Sequence, residues 1–157
     1  MSWGSSKIFT QFLLGALDRT TAFDLDTDVP KVALYDNDIT PDNTVSLANS
    51  AYNVGQWVTT GNEVFEAGQW AQAGVVLAGH DVTTASTTVT YDATDTASGS
   101  AADLANVYGC LVYDDTITTP TADPGMCYNY FGGPNSVTNG TFTVVWNGSG
   151  IMSFSVA

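Results

Sequence analysis

The chain has 157 residues, 44% of them apolar and only 12% charged, with 16 acidic side chains against Lys7, Arg19 and Lys31 and a net charge of −13. That length can bury roughly 70% of the surface an unfolded chain exposes, enough for one sizeable core. No two basic residues are close in sequence, which argues against a phosphate-neutralising nucleic-acid surface and equally against an anionic membrane surface.

The acidity supplies solubility and repulsion between copies, and it is compatible with a basic partner surface. Thr, Ser, Asn and Gly fill the polar quota, the composition of an all-β protein with many turns.

In chain order, residues 1–4 form a short arm. Its Trp3 has no element of its own and is a candidate for burial on a neighbouring molecule. Ser5 and Ser6 precede Ile8, Phe9, Phe12, Leu13, Ala16 and Leu17, whose three- and four-residue spacing predicts one amphipathic helix over 5–19. Its wide apolar stripe must be covered, by an open sheet face of the same chain or by insertion between subunits. The apolar stretch after Lys7 has no small-residue cleavage site, so no secretory signal is expected, and no run reaches transmembrane length.

The alternating aspartates Asp24, Asp26 and Asp28 invite a calcium reading, but the glycine and the bidentate glutamate of an EF-hand loop are missing, so turn chemistry before a strand is expected. The β-domain then runs from 30 to 157. A first strand through Val32 and Leu34 ends at Asp36. Residues 39–55 are too long and polar for a hairpin turn and read as an excursion with a helical turn at 47–52. Short strands are predicted at 56–65, 74–77, 87–91 and 107–113, with loops at 92–102 and 114–125.

Three consecutive antiparallel strands are predicted at 126–131, 141–146 and 151–156. Phe142, Val144 and Trp146 share one face of their strand, and Met152, Phe154 and Val156 one face of the next. A loop of Gly148, Ser149 and Gly150 would set Trp146 opposite Met152, Val144 opposite Phe154 and Phe142 opposite Val156, with Gly150 in the left-handed conformation. About eight strands and one N-terminal helix give an all-β reading, a mainly antiparallel β-sandwich or barrel-like open sheet, as a single domain over 1–157.

Chemistry-bearing residues are sparse. Cys110 and Cys127 lie on strand-like segments; buried free thiols are expected, with a cross-strand disulfide as the alternative. Two thiols and the lone His80 are too few for a metal site, and His80 reads as an exposed turn residue. Glu63 and Glu66 flank Phe65 and could in principle line a sugar cleft with Trp57 and Trp70. Their spacing puts them on opposite strand faces, so neither catalysis nor a cofactor is expected. Trp57 and Trp70 remain candidates for glycan stacking, with core or interface burial as their expected fate.

The segments 31–35 (KVALY), 74–78 (GVVLA), 89–93 (VTYDA), 108–114 (YGCLVYD), 131–133 (FGG) and 139–146 (NGTFTVVW) followed by Gly150-Ile151 resemble, in order and spacing, small structural proteins of tailed bacteriophages. The resemblance covers nearly the whole chain. It implies a decoration domain on the outer surface of an icosahedral capsid, made in the host cytoplasm and carried on the virion. Its partner would be the major capsid protein, with neighbouring capsomers cemented by homo-oligomers, trimers favoured. Trp3, Phe9, Trp57 and Trp70 are then candidate interface residues. Cys110 and Cys127 depart from the residues expected there. A tail or tail-tip component and a virion-displayed receptor or glycan-binding module are the competing readings.

Overall fold

The computed structural model describes residues 3–156. It is mainly β, as the composition predicts, and every strand pairing is antiparallel.

The main sheet is built on two long strands, β8 (Ala102–Asp114) and β9 (Gly125–Gly140). Beside β8 lies β2 (Pro30–Tyr35), whose far edge carries β3 (Glu63–Val64) and β4 (Val75–Val76) at its two ends. On the other side, β1 (Lys7–Ile8) pairs with Tyr128 and Cys127 of β9. This sheet is open. A three-stranded sheet is formed by β5 (Asp81–Ala85), β6 (Thr88–Asp92) and β11 (Met152–Ser155), and a small pair by β7 (Thr96–Ala97) and β10 (Thr143–Val144).

Register assigns the two faces of the main sheet. Gly109 pairs with Tyr130 and Tyr35, and Leu111 with Tyr128, so these residues share one face. Onto it pack Trp3, Phe9 and Trp57: the Trp57 ring lies 5.1 Å from Tyr35 and 5.8 Å from Tyr128, while Trp3 stacks on Tyr130 at 6.3 Å. The opposite face, with Cys110, Val112 and Cys127, is covered by the three-stranded sheet through Tyr91 and Met152. Because both faces are buried, the stretch from Gly109 to Asp114 is buried without interruption, where a one-sided strand would alternate.

The helix differs from the expected one. It spans α1 (Thr10–Asp18), because Lys7 and Ile8 are taken into β1 and Phe9 donates its N–H to Met126 O at 3.0 Å. Ser5 and Ser6 do not cap it. Phe12 and Gly15 are its buried residues, and Phe12 packs edge-on against Phe23 at 4.8 Å. Leu13 also packs against the core, but Leu17 at the end of the stripe is 83% exposed, and Leu14, which lies off the stripe, is 51% exposed.

The C-terminal hairpin does not form. β10 pairs with β7, setting Val144 against Thr96, while β11 pairs with β6, setting Met152 against Tyr91 and Phe154 against Val89. The expected turn is present all the same, with Gly150 at φ 90° donating its N–H to Asn147 O at 2.7 Å. It redirects the chain between two sheets. Phe142, Val144 and Met152 are buried as expected, whereas Trp146 and Phe154 are half-buried and Val156 is 72% exposed.

The excursion behaves as its composition suggests. It carries a single helical turn, α2 (Leu47–Ser50), capped by Ser46, which accepts from Asn49 N at 3.3 Å. A 3-10 turn at Gly55–Trp57 then delivers Trp57 to the core, so the predicted strand 56–65 is reduced to β3.

Candidate functional site

Each candidate for chemistry in the sequence is engaged by the fold. Glu63 is 8% exposed at the edge of the main sheet. Its two carboxylate oxygens accept from Tyr52 Oη and from Ala73 N, both at 2.8 Å. Burial raises its pKa against the pull of these two donors. Glu66 accepts from Asp103 N at 2.6 Å, tying the β3 region to the start of β8. The two acids therefore hold separate backbone segments and share no hydrogen-bond partner among the described residues.

His80 is half-buried, not an exposed turn residue, with Nδ1 3.0 Å from Leu25 O and its ring 6.3 Å from Tyr91. Cys110 and Cys127 are free, buried thiols on neighbouring strands, and the register sets Val112, not Cys110, opposite Cys127. Burial pushes the Cys127 thiol up to about 12 and Cys110 higher still, so neither is a thiolate at neutral pH. The Asp24 to Asp28 loop closes on itself, with Asp24 N donating to Asp28 Oδ2 at 2.7 Å and Asp28 N to Asp24 O at 2.8 Å. Among the described residues no group of three or more His, Cys, Asp or Glu could hold a metal ion.

One acid escaped the sequence reading. Asp114, at the end of β8, is 1% exposed. Burial first, and then the neighbouring Asp28, raise it to about 7. Its Oδ1 accepts from Thr116 N at 2.9 Å, and Oδ2 has no hydrogen-bond partner among the described residues. Nothing local in Asp114-Asp115 marks the first residue as buried and the second as the partner of Lys31, whose Nζ lies 2.8 Å from Asp115.

The four candidate interface residues are all interior. Trp3 is 4% exposed and Phe9, Trp57 and Trp70 are fully buried, so none offers a surface to a partner or a face to a sugar. Trp3 is held by its own chain, donating from Nε1 to Asp36 O at 2.7 Å. Trp3, Phe9 and Trp57 are buried because the face of the main sheet with Tyr35, Tyr128 and Tyr130 needs large apolar cover, whereas Trp70 packs edge-on against Phe142 at 6.1 Å.

Two surfaces set exposed apolar side chains on fixed elements. One is the outer side of α1 with Leu14 and Leu17. The other is a groove beside β9, where Phe131 and Trp146 line two joined recesses of about 250 and 280 Å³. Neither surface stands out in the sequence: periodicity turns Trp146 inward and marks Leu17 for cover by its own chain or by a neighbouring subunit.

No protein-family model, no curated protein and no solved structure matches the chain. No helix among the described residues is long and apolar enough to cross a membrane.

Proposed function

We propose that the chain is a structural protein of a tailed-bacteriophage head, which binds the outer capsid surface and decorates or cements neighbouring capsomers. The observation that carries this reading is the outer side of α1. On a chain with 13 net negative charges, Leu17 and Leu14 stand 83% and 51% exposed on a nine-residue helix whose other side is fixed by Phe12 against Phe23. A rigidly mounted apolar ridge on an acidic body suits docking to a protein surface with little loss of conformational freedom. Strong retention on a shell then comes from many weak contacts, within a homo-oligomer or across the lattice.

The titratable groups support an inert role, since Glu63, Glu66 and Asp114 serve the fold's own hydrogen bonds. The acidity also keeps an outward face from adhering to other particles or to nucleic acid.

The test is to add recombinant protein to purified heads that lack it and count the copies retained. Many copies per shell, lost on Leu14→Asp with Leu17→Asp at unchanged melting temperature, is the expected result. Retention only on tails, in a handful of copies, would overturn the reading in favour of a tail component.

A further inference from the structure

Beyond Lys7 the N-terminal arm leaves the sheet, and the outer edge of β9 loses its strand neighbour. Tyr130 N turns to Ser6 Oγ at 3.0 Å, and from there a groove runs between β9 and residues 144–151. Its two recesses share Phe131, Val144 and Val145. Trp146 lines it and is half-exposed, in contrast to the buried Trp3, Trp57 and Trp70, and Val145 is 70% exposed beside it.

The polar lining is of one kind. Asn129, Asn135, Asn147, Ser6 and Thr143 contribute amides and hydroxyls, and no Asp, Glu, Lys, Arg or His lines either recess, although the chain has 16 acids. Two of the amides are fixed. Asn147 Oδ1 accepts from Ser149 N at 2.9 Å, which leaves its amide nitrogen as a donor. Asn135 Nδ2 donates to Gly133 O at 2.9 Å and to Val107 O at 3.4 Å, which leaves its oxygen as an acceptor.

This combination selects its ligand by exclusion and by fit. A cation is drawn to the carboxylates elsewhere, and an anion is repelled by the body of the molecule. A purely apolar ligand would strip water from oriented amides and return no hydrogen bond. A ligand with apolar faces and uncharged hydroxyl edges satisfies both the aromatic and the amide lining. We propose that the groove between β9 and residues 144–151 binds a neutral oligosaccharide, stacked on Trp146 and Phe131 and hydrogen-bonded by Asn135 and Asn147. The site is separate from α1, so it stands whether or not the chain decorates a capsid.

Calorimetry and tryptophan emission with cellohexaose, maltohexaose, mannohexaose and chitohexaose, and tetragalacturonate as the charged control, test this. At least one neutral hexasaccharide gives saturable heat and an emission change, with a dissociation constant on the order of micromolar to millimolar. Val145→Asp, which places a charge in the groove from an exposed position, weakens binding about tenfold or more at unchanged melting temperature. Trp146→Phe removes the emission change and weakens the calorimetric affinity. The proposal is overturned by silence from all four neutral sugars with folded protein, by equal binding of tetragalacturonate, or by binding that survives Val145→Asp. Concentration-dependent self-association that Val145→Asp abolishes would equally overturn it, assigning the groove to a second copy.

Discussion

The indole of Trp3 occupies the space that a side chain on Gly109 would need. A Cβ built on Gly109 would stand 2.5 Å from Cζ3 and 2.7 Å from Cη2 of that ring. The N-terminal arm thus reaches the sheet through a gap left in β8, and Phe9 uses a second one, since a Cβ on Gly125 would lie 2.8 Å from its Cε2.

Gly109→Ala should therefore release the arm. The expected cost is about 1–3 kcal/mol from overpacking, read as a lower denaturation midpoint, together with a red shift of tryptophan emission as Trp3 meets water. In a Trp3→Ala background the same change costs less, because the clash with the ring is gone and only that with the backbone oxygen of Asn129 remains. Equal costs in both backgrounds would show that the gap is not made for the indole.

Acid dependence should be traceable to Asp114. Its folded pKa of about 7 lies above the ordinary 3.8, so the native state holds a proton that the unfolded chain releases. This contribution is fully present below the ordinary value and is lost as pH rises through the folded one. Stability should fall by up to a few kcal/mol between about pH 4 and 7 from this group. Asp114→Asn removes the titrating proton at nearly the same volume, and its denaturation midpoint should vary less over that window than wild type. The general repulsion among the remaining carboxylates has the same sign and persists in the variant.

Glu63→Gln should weaken the fold. One acceptor becomes a donor facing either Tyr52 Oη or Ala73 N, leaving a half-buried donor unpaired at a cost of about 1–3 kcal/mol. The Tyr52 ring, stacked on Tyr113 at 4.9 Å, cannot easily turn away. The urea midpoint should drop with the slope unchanged.

Neither thiol should react in the native state. With Cys127 pushed up to about 12 by burial and both sulfurs inaccessible, a disulfide reagent at pH 8 should modify no cysteine until denaturant is added, then two. Rapid native modification of either would contradict the buried placement.

Strong β-periodic segments such as Val107 to Tyr113 were legible because two buried faces leave an apolar run that turn residues bound. Partners were not. Alternation in 141–146 and 151–156 specifies which side chains turn inward, and it was right for Phe142, Val144 and Met152; it carries no information on which strand lies alongside, and β7 and β6 won the pairing. β5 is absent from the sequence reading because Asp81–Ala85 is mostly exposed and its threonines give no alternation. The later half of β9, with Gly132, Gly133 and Pro134, reads as a turn and is held as a strand by pairing with β8 across register shifts. For the site residues, burial of Trp57 and Trp70 is one of the two fates their size suggests, and the fold chooses the core; helical spacing marks Leu17 for cover by its own chain or by a neighbour, and its own chain leaves it exposed.

The pairing of β1 with Cys127 and Tyr128 carries a consequence for how the molecule comes into being. β1 has to wait for partners that follow it far along the chain, as does β2 for β8. Contacts so distant along the polymer make folding slow. A nascent chain must keep Phe9, Phe12 and its leucines from straying until β9 has been made, and its abundant negative charge holds such waiting chains apart.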